Sequence, residues 1–456
     1  MNKSLYGASV QGIQEFIFKT NKLQEIVGAS EIVKNISKLF EDSFNADEIL
    51  LNAAGNIKAI FYSKDECKKA VLEFSKMVMQ QAYGITISQA VVKIDSNKAT
   101  QNEIDELERK LKIQRNKPSI PLDLSINLMK LNPSTAKPMV NKDEDRAISQ
   151  KRQAYVNWFK EQRINNDDFE KSKELSFISN GKNKIAVIHI DGNGLGEIVK
   201  KLGKKLSTFS IALNNATIKA VDDAKGELKD FRKVIIGGDD VTVICNANDA
   251  LDFTKNFLQN FEDNTEKIKE LDGIKDKLTA CAGIAYCNEK YPFHYAVDLA
   301  EALCGVAKKH SKRKSSCLMF HNIQSSNYQS WDKFVKDELT INNNIKCDFG
   351  PYYLNKDGQA TIDNLYIVTE SLRLKDSPSS KLRNWLSELY KSEANANNLL
   401  TRIDKVANEN KTYNKEILNQ NLERLHPKLK LNNLIIDGKT PIYDILQILS
   451  ITEAKK

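Results

Sequence analysis

No stretch of this chain approaches the roughly 18 uninterrupted apolar residues that a membrane span requires, which excludes a hydrophobic spanning helix. The opening residues, Met1 to Gly7, lack the apolar run and small-residue cleavage site of a signal peptide. The expected location is therefore cytoplasmic, with no membrane partner. The seven cysteines stand at 67, 245, 281, 287, 304, 317 and 347 without a single Cys-x-x-Cys pair. That spacing excludes the usual zinc and redox motifs and leaves buried, reduced thiols as the expectation. Histidine is scarce too, and His189, His294 and His310 show no ligand spacing. Proline is rare, and four of the nine cluster at 118, 121, 133 and 138.

What is present is a soluble globular composition, 41% apolar and 28% charged, over 456 residues. That length exceeds one ordinary hydrophobic core and implies two to four domains. The formal charge of +8 fits an anionic partner such as nucleotide or RNA, although lysine-rich surfaces also serve solubility alone.

Residues 3 to 94 read as strand, helix, strand, strand, helix, strand. Leu5 to Val10 is strand-like, Gln11 to Phe40 has helical periodicity, and Ile57 to Tyr62 follows the turn Asn52 to Asn56. Asp65 to Gln81 is again helical and Ile85 to Ile94 alternates as a strand, which completes a ferredoxin-like plan. The proline-containing segment from 96 to 182 reads as an inserted helical linker region with a loop. Ile185 to Ile190 is then a nearly continuous apolar run, as expected of a strand covered on both faces. A helical stretch over Leu206 to Lys229 follows, and Lys233 to Ile236 and Val241 to Cys245 flank Gly237-Gly-Asp-Asp240, a hairpin with acids at its tip. Helix Ala250 to Glu270, strand Thr279 to Tyr286, helix Phe293 to His310 and strand Ser316 to Phe320 close a second copy of the same module. Residues 323 to 456 read as mainly helical. The expected class is α+β: a first palm domain at 1–95, a helical linker at 96–182, a second palm at 183–322 and a helical C-terminal domain at 323–456.

The second module carries the chemistry. Nucleotidyl transfer needs divalent metal to neutralise phosphate charge and activate a hydroxyl, so carboxylates must converge. Asp191 ends one strand and Asp239 and Asp240 tip the hairpin, and neighbouring strands would bring all three to one sheet edge. An all-oxygen set suits Mg²⁺ or Mn²⁺. Gly237 and Gly238 allow a tight turn, and Gly192, Asn193 and Gly194 lead a stretch that can offer N–H groups to phosphate before a helix. The basic run Lys308 to Lys314 at a helix C-terminus has two readings. Lys308 or Lys309 binds a triphosphate, or the run simply complements the helix dipole.

Several runs resemble the large polymerase/cyclase subunit of type III CRISPR effector complexes, whose palm domains are related to GGDEF cyclases. The matching residues are Val10 to Phe18, Leu23 to Ser30 and Ala53 to Ile57 in the first palm. In the second they are His189 to Gly196, Gly237 to Asp240, Cys281 to Ala285, and the helix from Ala300-Glu301 to Ala307-Lys308, whose spacing favours Lys308. The resemblance implies conversion of ATP to cyclic oligoadenylates with catalytic metals on Asp191, Asp239 and Asp240. It also implies partnership with other complex subunits, guide RNA and target RNA.

Departures from the family pattern carry their own expectations. There is no His-Asp dipeptide, so no DNase activity is expected, and the cysteines cannot build the zinc insertion of many relatives. The first palm has Asn52 to Asn56 where the second has acids, so it should shape or bind without metal catalysis. Together these suggest a minimal, signalling-only form. Alternatives are a free-standing GGDEF-like dinucleotide cyclase, an AMP-conjugating enzyme, or a non-catalytic scaffold.

Overall fold

The computed structural model describes residues 3–53, 55–96, 99–117, 128–142, 144–162, 166–202, 205–324, 330–341, 344–410 and 414–454. The chain divides into two compact units. One comprises residues 1–177, 199–214 and 233–238, and the other residues 178–198, 215–232 and 239–456.

The first unit opens with β1 (Lys3–Gln11), α1 (Ile13–Phe18), α2 (Leu23–Ser43), β2 (Glu48–Ala53), β3 (Asn56–Phe61), α3 (Lys64–Gln81) and β4 (Thr86–Ile94). Its antiparallel sheet has the order β2-β3-β1-β4, which is the ferredoxin-like arrangement. The single helix expected over 11–40 is two helices. Thr20 explains the break, because its hydroxyl accepts from Lys22 N at 3.2 Å and donates to Glu25 at 2.6 Å, so local side-chain bonds compete with the helical ladder.

Two linker helices, α4 (Gln101–Arg115) and α5 (Arg146–Glu161), belong to this unit's core. Leu107 and Leu111 of α4 pack with Leu5, Ile60, Val92 and Ile94. α5 lies so close to α2 that a Cβ at Gly28 would meet the Lys151 carbonyl at 1.8 Å. Buried Glu25 pairs with Arg152 at 2.7 Å, and Lys151 donates to the Phe16 carbonyl at 2.5 Å. Leu23 to Ser30 is thus a docking surface for α5. Pro133 and Pro138 lie in a loop, whereas Pro118 and Pro121 fall outside the described residues.

The second sheet is built from β5 (Lys184–Gly192), followed by α6 (Leu195–Leu202), α7 (Leu206–Lys225), β6 (Phe231–Gly237), β7 (Asp240–Asn246), α8 (Ala250–Thr265), β8 (Ala280–Asn288), α9 (Phe293–His310) and β9 (Cys317–Asn322). α7 ends short of Lys229, in a turn where Leu228 N bonds to Lys225 O at 3.0 Å. α8 stops at the buried Thr265, whose hydroxyl accepts from Leu278 N at 3.0 Å and ties the helix end to the next segment.

The tail comprises α10 (Trp331–Asp337), β10 (Thr340–Ile341), β11 (Ile345–Lys346), β12 (Tyr352–Tyr353), α11 (Ile362–Arg373), α12 (Ser379–Lys391), α13 (Glu393–Asn410), α14 (Lys415–Leu425) and α15 (Ile442–Ile451). It is mainly helical but returns a strand to the palm, giving the order β12-β9-β8-β5-β7-β6. Its run β8-β5-β7-β6, which ends on the edge strand β6, repeats the order of the first sheet. The last helix is stitched to the same unit. Lys182 donates to the carbonyls of Leu449, Ser450 and Thr452, Asn180 donates to Ile451 O at 2.7 Å, and Gln447 accepts from Asn322 N at 2.6 Å. No helix among the described residues is long and apolar enough to cross a membrane.

Candidate active site

β5 is buried along Ile185 to Ile190 because neighbours flank it on both sides, β7 through Ile190↔Val241 and β8 through Asp191↔Cys281. Its C-terminal end and the start of β7 therefore meet, which brings Asp191, Asp239 and Asp240 together. Gly192 makes the approach possible, since a Cβ there would stand 2.9 Å from Asp239 Cβ and 3.0 Å from its Oδ2. Gly238 (φ +64°) turns the hairpin in the left-handed region and its N–H donates to Asn214 Oδ1 at 3.3 Å. Gly194 (φ +73°) turns the chain into α6.

Burial, then the hydrogen bond and charge of Asp191, raise Asp239 to about 7. Burial and the charges of Asp191, Asp239 and Glu301 raise Asp240 to about 7 as well. Glu301 of α9 is thus a fourth acid at the cluster; sequence reasoning quoted it within a motif without giving it a role. Asp240 Oδ1 is buried with no hydrogen-bond partner. His189 Nδ1 lies 3.5 Å from it, but burial lowers that imidazole to about 4, so the ring is neutral at pH 7 and this contact is not an ion pair.

Lys308 supplies the one cation in contact with the cluster among the described residues. Its ammonium pairs with Asp191 and donates to the Gly192 carbonyl at 2.8 Å. α9 can hold it there because Gly283 of β8 lets the helix approach the sheet: a Cβ at 283 would meet Ala300 O at 1.9 Å. Lys309, one residue on, is exposed and makes no contact with the carboxylates.

Asp191 is engaged by Lys308, and among the described residues no three His, Cys, Asp or Glu side chains are grouped as a ready metal cage. One expectation needs correction. Asn193 faces the core instead of a phosphate. Its amide donates to Thr279 Oγ1 at 3.0 Å and its backbone N–H to Thr279 O at 2.8 Å, so both donors fasten β5 to the approach of β8. Gly192 borders the cluster, next to Asp239 and with its carbonyl accepting from Lys308. The donor set itself suits a hard divalent ion, with an orphaned Asp240 oxygen and two carboxyls whose pKa values burial and neighbouring acids raise, as a site that lacks a compensating cation would show. An ion held together with water and substrate phosphates needs only one or two protein carboxylates.

The first palm has no such charge. At the corresponding strand end Ser9 donates to Asn56 Oδ1 at 2.8 Å, and Gln11 Nε2 lies 3.4 Å from Ser9 Oγ. All seven cysteines are buried and unbridged.

A strand-end acid beside an acidic hairpin on a ferredoxin-like sheet defines a polymerase/cyclase-type palm. Residues 184–317 match the Cas10/Cmr2 second palm domain family. Across nearly the whole chain the fold is that of Csm1, the Cas10-type subunit of type III-A CRISPR complexes. A Csm1–Csm4 cassette in complex with cA3 is 13% identical, covers 99% of this chain and 69% of that chain, and gives a TM-score of 0.56. The cassette with AMPPNP is 14% identical with the same coverage and a TM-score of 0.52. Csm1 of T. onnurineus is 15% identical, again covering 99% and 69%, with a TM-score of 0.51. A search of curated proteins finds no match. The family resemblance drawn from the motifs is borne out, as is the α+β class.

Proposed function

We propose that this chain is the nucleotidyltransferase subunit of a type III CRISPR complex and joins ATP molecules into a cyclic oligoadenylate, releasing pyrophosphate. The carrying observation is the convergence of Asp191, Asp239 and Asp240 at one strand end with Lys308 against them. Support comes from neighbours whose structures hold cA3 and AMPPNP. In this reading residues 183–322 form the catalytic domain, 1–95 a degenerate palm, 96–182 a linker, and 323–456 a region for partner subunits.

When bound, Mg²⁺ or Mn²⁺ supplies phosphate charge neutralisation and a lower pKa for the attacking 3′-hydroxyl. Asp239 and Asp240 would hold it through their carboxylate oxygens. Lys308 is the device that couples nucleotide to site: on meeting a triphosphate its ammonium exchanges Asp191 for phosphate oxygens and frees that carboxylate. Gly237 and Gly238 leave the hairpin backbone open to the nucleotide. Guide and target RNA would act by favouring an active geometry that the isolated chain populates rarely, which requires differential affinity for the two states.

The test is incubation of the purified chain with ATP and Mg²⁺ or Mn²⁺, alone and reconstituted with partner subunits and matched or mismatched target RNA, with products identified by mass spectrometry. A cyclic product that appears strongly only with matched RNA is expected. A linear, conjugated or absent product in every arm would overturn the reading, and full activity of the isolated chain would favour a free-standing cyclase. Lys308→Ala is expected to raise the KM for ATP about tenfold, equivalent to ~1.4 kcal/mol, while titration with Mn²⁺ shows no loss of metal affinity, since the change also frees Asp191. An unaltered ATP dependence in Lys308→Ala with Lys309→Ala would remove lysine from the site.

A further inference from the structure

Only Lys308 of the basic run reaches the carboxylates, which leaves Lys309, His310, Lys312, Arg313 and Lys314 without a role. All five are exposed. The backbone that carries them has an informative shape. α9 ends with Arg313 N bonded to Lys308 O at 3.1 Å and Lys312 N bonded to Lys309 O at 3.3 Å. That paired pattern is a Schellman cap, and it puts Lys312 at the C′ position where glycine is the usual residue. Lys312 has φ +52° and the next residue, Arg313, φ +56°. Side-chain-bearing residues disfavour that region because Cβ crowds the following carbonyl. Glycine at both would relieve the strain and form the same cap, so local stability alone does not account for a lysine and an arginine there.

The charge is also in excess of what a helix end can use. A helix C-terminus presents about half a negative charge, which one cation satisfies. Here a second segment adds to the loop: Lys346 and Lys439 pair through a backbone β-bridge, and partial burial and the charges of Lys439, Lys309 and Lys346 lower the pKa of His310 against the opposing charge of Asp348. Lys439 donates only to the carbonyls of Asp348 and Gly350. Lys309, Lys312, Arg313, Lys314 and Lys346 have no carboxylate partner among the described residues. Burial raises the pKa of Asp348, the residue whose carbonyl accepts from Lys439.

We propose that the loop from Lys309 to Lys314, with Lys346 beside it, is a phosphate-binding surface for a single-stranded oligonucleotide. A free triphosphate offers the same oxygens, but cations on two separate segments match successive phosphates along a strand better than one compact group. The surface is distinct from the carboxylate cluster and does not depend on turnover.

The experiment measures binding of a fluorescein-labelled ten-nucleotide oligoadenylate lacking a 5′ phosphate to the full chain, by anisotropy over a salt series. Lys312→Gly with Arg313→Gly is expected to weaken binding about tenfold and to lower the salt slope by about 1.4, the loss of two phosphate contacts. The thermal midpoint of the same variant should rise by about 1–2 °C, since the strain is gone. Lys314→Glu, at an ordinary backbone conformation, should weaken binding comparably without the thermal gain. Unchanged affinity and slope in both variants would overturn the proposal, and a lowered midpoint in the glycine variant would overturn the strain argument behind it. If the variants weaken ATP binding but not strand binding, the loop serves free triphosphate and the strand assignment is wrong. A chain with Asp239→Ala and Asp240→Ala should bind the strand as the parent does; loss there would move the strand to the carboxylates.

Discussion

Replacing Asp239 and Asp240 together by alanine is expected to lower turnover on the order of 10³-fold or more while leaving the fold intact. The loss follows from removing the carboxylates that hold the metal, whose electrostatic contribution is worth several kcal/mol at the transition state. The retained fold follows from their protonation. Both groups stand at about 7 against an ordinary value of 3.8. At low pH both folded and unfolded chains are protonated here. Between about 4 and 7 the folded chain keeps protons that the unfolded chain has released, so stability falls as pH rises through that window and stays lower above it. The double variant lacks this penalty. Measured in chelator, its thermal midpoint should exceed the parent's by more at pH 8 than at pH 5. Retention of more than a few per cent of turnover would show the centre to lie elsewhere, and a lowered midpoint would make these carboxylates structural.

Gly283→Ala should be the most damaging single methyl group in the second unit. The added Cβ would stand 1.9 Å from Ala300 O and 2.5 Å from Cys304 N, both backbone atoms that cannot rotate away. α9 must lift from β8, at a cost of about 3 kcal/mol or more. Because α9 also carries Lys308 and Glu301, activity should fall with stability. Gly305→Ala is the matched control, on the exposed face of the same helix with nothing within 4 Å of the new atom. It should be neutral or stabilising by about 0.5–1 kcal/mol. Urea unfolding followed by circular dichroism checks both, and equal effects at 283 and 305 would mean the helix does not depend on close contact with the sheet.

The parts of the fold that announce themselves in the sequence are those with strong local periodicity. The apolar run of β5, the alternation of β4 and the glycine-acid hairpin were legible because period and turn chemistry are short-range properties. The two-residue strands β10, β11 and β12 are too short to carry a period, and only their partners make them strands. The interruption near Thr20 was hidden because its hydroxyl bonds matter only once the chain is placed. At the site, the acids could be read from residue type and position, whereas residue type left Lys308 and Lys309 open and only the spacing shared with the resembled family favoured Lys308. Which way Asn193 faces could not, because an asparagine in a glycine-rich turn can as easily serve the core as a ligand, and the deciding partner, Thr279, is 86 residues away. Glu301 was similarly silent: its relevance comes from a charge that acts on Asp240 only in the folded chain. The runs Leu23 to Ser30 and Cys281 to Ala285, read as signatures, each hold a glycine that admits a neighbouring helix.

The stitching of the C-terminal helix has a practical side. A palm expressed as residues 183–322 alone would lack β12, the strand that pairs with β9 through Tyr352↔Leu318 and Tyr353↔Cys317. It would also lack Gln447 of α15, whose side chain accepts from Asn322 N at 2.6 Å. Such a fragment would carry an open, apolar sheet edge, the kind of surface that pairs with another copy of itself. The tail therefore acts as the palm's guard against aggregation, and fragments meant to isolate the catalytic chemistry should keep it.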